Sequence, residues 1–319
     1  MQVGLERLID PKLAAYVDET RAFYAARAAS RGAGLQPDPG TPEGLQEARA
    51  LEEARARSTV SAASPGPEAV EALAEAGGRR VPVRIFAPRS GTARGVYLDI
   101  HGGGFYMGLA ARGDAHNRRL ADALGIAVVS VDYRLAPEHP WPAAPDDCET
   151  AASWLLAEAE ARFGTTRLAI GGVSAGATLA MATLLRLRDR GAAGPFVGAA
   201  LQFGTYDLSG ATPAGRLLDG QFFIRAYAGH AGDRTDPDIS PVHGDLRGLP
   251  PVLLVVGSLD ILLEDNLALA ARLSAAGGDV DLRVYPESPH GFTFHPTAMA
   301  RAALDDIESW IAGRLLNRR

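Results

Sequence analysis

A serine with glycine two residues away on each side, within Gly171-Gly-Val-Ser-Ala-Gly176, separates the apolar run Arg167–Ile170 from an amphipathic stretch, Ala177–Arg190. The pattern predicts a strand that turns directly into a helix at Ser174. Such a turn strains the serine backbone and brings the main chain so close that side chains at 172 and 176 would collide, hence two glycines. It lifts the hydroxyl above a sheet and points the first N–H groups of the helix, with their partial positive charge, at an oxyanion formed beside it. Nucleophilic attack on an acyl carbon is the chemistry this suits. With 36 glycines in 319 residues the motif alone carries little weight, so its surroundings must decide.

A second motif, His101-Gly102-Gly103-Gly104, directly follows the strand-like run Val96–Ile100. Three glycines let bare backbone N–H groups approach a substrate oxygen that any side chain would keep away. Gly103 and Gly104, with Ala175 after the serine, are therefore the expected oxyanion donors, and His101 anchors the loop; a tight structural turn is the alternative. A serine hydroxyl also needs a base, and the base needs a carboxylate to hold its tautomer. Both belong on loops after later strands, at the carboxyl edge of the sheet. Asp260 follows Val252–Gly257 in that position, and His290 follows Val284-Tyr285-Pro286. The order Ser174, Asp260, His290 is the one this kind of elbow uses. Asp207, also after a strand, competes for the carboxylate role and His295 for the base. His116, His139, His230 and His243 are assigned surface or structural places.

The elements that must position these groups alternate. Strand-like runs Val81–Phe86 (read as an edge strand because it contains Pro82), Val96–Ile100, Ala127–Val131, Leu168–Gly171, Ala199–Phe203, Val252–Val256 and Val280–Tyr285 are separated by helical segments at Asp114–Leu124, Pro145–Arg162, Ala177–Arg190, Glu264–Ala276 and about Thr297–Leu316. Such alternation implies an α/β fold, a mostly parallel sheet covered by helices on both faces. Residues 1–62 show helical periodicity and no strand, which suggests a helical cap or packing arm over a catalytic domain at 63–319. Residues 208–238 break the rhythm and read as an insertion over the site. Phe105, Tyr106, Phe222, Phe223 and Tyr227 are the expected substrate-binding aromatics, lining a capped apolar pocket of limited size; membership of the core is the alternative.

Composition narrows the partners. A net charge of -6 provides no broad basic surface, so neither nucleic acid nor an anionic membrane is expected. There is one cysteine, Cys148, and no Cys/His cluster with zinc-like spacing, so neither disulfide nor metal is expected. No apolar run approaches membrane-spanning length and no leader pattern is seen, so a cytoplasmic location is expected.

Together with Val131-Asp-Tyr-Arg-Leu-Ala-Pro-Glu138, His139-Pro-Trp-Pro-Ala-Ala144, Ser258-Leu-Asp260 and His290-Gly-Phe292, the two glycine motifs resemble those of the hormone-sensitive-lipase family of α/β-hydrolase esterases over about residues 80–317. The resemblance implies hydrolysis of small carboxylic esters by Ser174, Asp260 and His290, no cofactor, a helical cap, and a homodimer through an edge strand and the C-terminal helix. The family usually has Asp and Gly where this chain has Val173 and Ala177, neither of which supplies a triad atom. Short to medium acyl chains are the expected substrates. An amide hydrolase on the same triad, and a ligand-binding homologue without turnover, are the competing functions.

Overall fold

In a computed structural model the structure describes residues 4–30, 37–62, 69–89 and 91–317. Eight strands form one sheet: β1 (Val70–Ala76), β2 (Arg79–Phe86), β3 (Val96–Ile100), β4 (Ala127–Val131), β5 (Leu168–Val173), β6 (Phe196–Gln202), β7 (Val252–Gly257) and β8 (Val280–Tyr285). Their spatial order is β1-β2-β4-β3-β5-β6-β7-β8, with the β1–β2 and β2–β4 pairings antiparallel and the other five parallel. The helices are α1 (Val17–Ser30), α2 (Pro42–Ala62), α3 (Asp114–Leu124), α4 (Ala143–Phe163), α5 (Ala175–Asp189), α6 (Pro213–Leu218), α7 (Phe222–Ala228), α8 (Leu263–Ala275) and α9 (Ala298–Leu316).

The central strands are apolar throughout because both faces are covered. Along β7, Val252 and Leu254 join the core beneath α4, α5 and α8, whereas Leu253 and Val255 join the core beneath α3 and α9. Successive side chains thus serve opposite layers, as a period of two requires. Glycines in the left-handed region close α3 and α4, Gly125 at φ 63° and Gly164 at φ 74°.

Two expectations need correction. Residues 70–76, left without a strand, form β1; Val-Glu-Ala-Leu-Ala-Glu-Ala has the composition of a helix former, and pairing with β2 overrides that local preference. β1 therefore occupies the edge, and β2, expected there because of Pro82, lies inside it. Pro82 is tolerated because its carbonyl accepts from Asp132 N–H, so its missing N–H faces the same side, just beyond the register that joins Val83–Phe86 to β4.

The N-terminal segment packs against α9: Leu13 is buried, Glu19 accepts from Ala298 N–H at the start of that helix, and Tyr24 Oη lies 2.9 Å from His295 Nδ1. α2 lies against the glycine-rich loop, where Arg49 donates to the carbonyls of Tyr106 and Ala136 and to Glu138. The expected boundary between cap and catalytic domain, between residues 62 and 63, adjoins residues 63–68, which lie outside the described residues.

Candidate active site

Ser174 stands at the junction of β5 and α5 with φ 52° and ψ -121°, a conformation costly for any residue but glycine. Close packing enforces it. A Cβ on Gly176 would come within 2.0 Å of Ile100 O, and one on Gly172 within 2.6 Å of the Gly176 main chain. The hydroxyl is thereby held at the carboxyl ends of β3, β5 and β6.

His290, on the loop after β8, brings Nε2 to 3.1 Å from Ser174 Oγ. Its Nδ1 lies 3.1 Å from each carboxylate oxygen of Asp260. The Asp260 carboxylate is fully buried, and Oδ1 also accepts from Leu262 N–H at 2.8 Å, which fixes its orientation. Phe203 packs edge-to-face on the imidazole at 5.1 Å. A serine, an imidazole and a carboxylate are thus brought into one hydrogen-bonded line from positions 116 and 30 residues apart in sequence.

Opposite them runs the glycine loop. Gly103 has φ 127° and its carbonyl accepts from Tyr106 and Met107, a turn that a Cβ would break by meeting Met107 O at 2.1 Å. Among the described residues the N–H groups of Gly103, Gly104 and Ala175 donate to no protein acceptor. His101 anchors this loop by stacking on Tyr133, rings 4.2 Å apart, while the Tyr133 hydroxyl donates to the His101 carbonyl. Arg134 is in turn held bidentately by Asp147.

The rival residues lie elsewhere. His295 bonds Tyr24, and Asp207 accepts from Ser209 and Thr212 and lies 3.3 Å from His243. Burial opposes ionisation of Asp207, but those hydroxyl and backbone hydrogen bonds prevail and hold its carboxyl down at about 2. Its neighbour Asp265 behaves oppositely. Burial pushes it up to about 7, outweighing the N–H groups of Tyr206 and Asp207 that donate to it. Between its ordinary value and 7 the native state keeps a proton that the unfolded chain releases, so this contribution is complete below about pH 4 and lost as pH rises to 7. Asp265→Asn, which retains an acceptor for both N–H groups, should flatten that decline, worth on the order of 3–4 kcal/mol. Thermal melts of both proteins at pH 5 and pH 8 check this: the variant should lose less stability across the interval.

A cavity of about 840 Å³ opens on Ser174 and His290. Of the five aromatics expected to line it, Tyr106 and Phe223 do, and Phe222 packs edge-on against Tyr106. Phe105 and Tyr227 do not. They stack face to face at 4.0 Å in the core, 0% and 1% exposed, because Phe105 follows the turn of the glycine loop and is directed inward. His116, expected at a surface or structural place, lines the cavity with Asp99 and Asn117. These three were not recognised from sequence as cavity groups, although an aspartate within the otherwise apolar Val96–Ile100 was the available signal. Among the described residues no group of three or more His, Cys, Asp or Glu side chains is disposed to hold a metal, and no helix is long and apolar enough to cross a membrane.

The α/β-hydrolase fold family matches residues 97–294, a span that begins in β3 and ends just beyond His290. A hormone-sensitive lipase from a metagenome library superposes with a TM-score of 0.74 at 30% identity, over 93% of this chain and 98% of that one. The chain belongs to the hormone-sensitive-lipase family. Within this α/β-hydrolase family its relatives include an ethyl acetate hydrolase of Pseudomonas putida, 34% identical over 67% of this chain and 72% of that protein. A carboxylic ester hydrolase of Mycobacterium tuberculosis is 34% identical over 66% of this chain, which spans 61% of that relative's length. A bacterial heroin esterase has a TM-score of 0.80 at 29% identity, over 98% of this chain and 99% of that one. This family member is an ester-hydrolysing enzyme.

Proposed function

We propose that the protein is a carboxylesterase for short- to medium-chain esters, with Ser174 as nucleophile, His290 as base and Asp260 as the group that orients it. The observation that carries this reading is the contact of His290 Nε2 with Ser174 Oγ at 3.1 Å while Nδ1 faces a buried carboxylate. His290 takes the proton as Ser174 attacks the ester carbonyl, and the N–H groups of Gly103, Gly104 and Ala175 receive the oxyanion. The proton passes to the departing alcohol. Water attacks the acyl-serine by the same route and regenerates the enzyme. Val173 and Ala177 contribute no atom to these steps. The N-terminal segment, residues 1–62, with residues 208–238 forms the cap in this reading, supported by the hydrogen bonds of Arg49 to the carbonyls of Tyr106 and Ala136.

Two assays test it. A fluorophosphonate should label Ser174 and no other serine, as peptide mapping will reveal. In a series of nitrophenyl esters, kcat/KM should be highest for acyl chains of a few carbons; a maximum at long chains overturns the chain-length assignment. An ester and its matched anilide, run side by side, separate esterase from amidase. A cytoplasmic location belongs to this reading, and no helix among the described residues is long and apolar enough to cross a membrane. A homodimer through the edge strand β8 and α9 rests on the family resemblance, and light scattering decides it.

A further inference from the structure

The cavity continues beyond Ser174, between β3 and the helices α3 and α9, where Tyr97, Asp99, His116 and Asn117 line it. Its charged walls do not balance. Arg112 is paired with Glu52 and Arg119 with Glu308, whereas Asp99 has no ion pair among the described residues. Asp99 Oδ2 accepts from Asn117 Nδ2 at 2.9 Å and Ser130 Oγ at 2.8 Å, and no hydrogen bond reaches Oδ1 among the described residues.

Two further acceptors are left over. With Nδ2 committed to Asp99, Asn117 Oδ1 has no partner although the residue is 1% exposed. His101 Nδ1 lies 2.8 Å from the Gly102 carbonyl and so carries the hydrogen. Its Nε2 is then a lone-pair acceptor, also without a partner on a residue 8% exposed. Buried acceptors are costly to leave unpaired, and these belong to side chains around one compartment that opens on the nucleophile. We propose that this compartment is a specificity subsite for a primary ammonium group on the acyl or alcohol arm of the ester, received by Asp99, Asn117 and His101. Burial pushes the His101 and His116 imidazoles below the ordinary histidine range, more than the Gly102 carbonyl and Asp132 pull His101 up or Asp99 pulls His116 up, so neither competes as a cation near neutrality. The inference rests on the esterase reading and names the substrate class of the same cavity.

The test compares ethyl esters of ω-amino acids of three to six carbons with the alkanoates in which methyl replaces ammonium, and, for the alcohol arm, 6-aminohexyl acetate with heptyl acetate. In at least one series kcat/KM should favour the ammonium member by about tenfold or more, and Asp99→Asn should reduce that ratio at least several-fold. A preference for the neutral member in both series, or a ratio unmoved in Asp99→Asn, overturns the proposal. Failure to hydrolyse even the neutral esters would instead overturn the esterase reading on which it stands. Should Asp99→Asn not fold, the wild-type protein still decides: hexylammonium should inhibit ethyl butanoate hydrolysis competitively and more strongly than 1-hexanol, and equal inhibition overturns the subsite.

Discussion

Replacing Ser174 with alanine is expected to lower kcat on nitrophenyl acetate by about 10⁶-fold, the scale on which triad enzymes lose turnover when the nucleophile is removed. The size follows from what remains. The N–H groups of Gly103, Gly104 and Ala175 would still polarise a bound carbonyl, but His290 would have only water to deprotonate, without the preset geometry of Oγ at 3.1 Å. The fold should survive, because the strain at φ 52° is imposed by the close main-chain packing that Gly172 and Gly176 permit and owes nothing to the hydroxyl. A variant with unchanged circular dichroism, no fluorophosphonate labelling and this loss of turnover is the expected result. Retention of most of the turnover would remove Ser174 from the mechanism.

Asp260→Asn should cost about 10⁴-fold in kcat, less than loss of the serine and through a different cause. Leu262 N–H donates to Oδ1 at 2.8 Å and would hold the amide oxygen of asparagine there, which turns the amide NH₂ toward His290 Nδ1. Two donors cannot face each other, so the imidazole would move its hydrogen to Nε2 and could no longer accept from Ser174. Pre-steady-state acylation should slow in step with kcat. Combining Asp260→Asn with Ser174→Ala should be no worse than Ser174→Ala alone, because the residues act as one unit; additive losses would separate Asp260 from the triad.

The groups proposed for the reaction were legible because each is tied to a local signal: a glycine-framed serine, a glycine run after a strand, and a carboxylate and a histidine just past two later strands. Such signals depend on short-range backbone geometry, which a sequence states directly. What was not legible depends on packing. β1 carries no strand signal because alanine and glutamate dominate it, and the hydrogen bonds offered by β2 make it a strand. Phe105 and Tyr227 have the composition of a pocket wall, but the direction of an aromatic ring is set by the turn that carries it, and this turn sends Phe105 inward. The inner compartment is assembled from β3, α3 and α9; Tyr97 and Asp99 alternate along the strand and Leu304, Ile307, Glu308 and Ile311 keep helical spacing, but no spacing within one element states that three elements close on the same space.

The stacked pair also bears on how substrate reaches Ser174. Phe105 belongs to the glycine loop and Tyr227 to α7, so the ring contact fastens the insertion to the very segment that presents Gly103 and Gly104. Peeling α7 away would wet two ring faces, at a cost of several kcal/mol. α7 is therefore a fixed wall rather than a swinging flap. If substrate enters where Ile261 and Phe294, which line the cavity, stand more than half exposed, its entry requires no movement of α7.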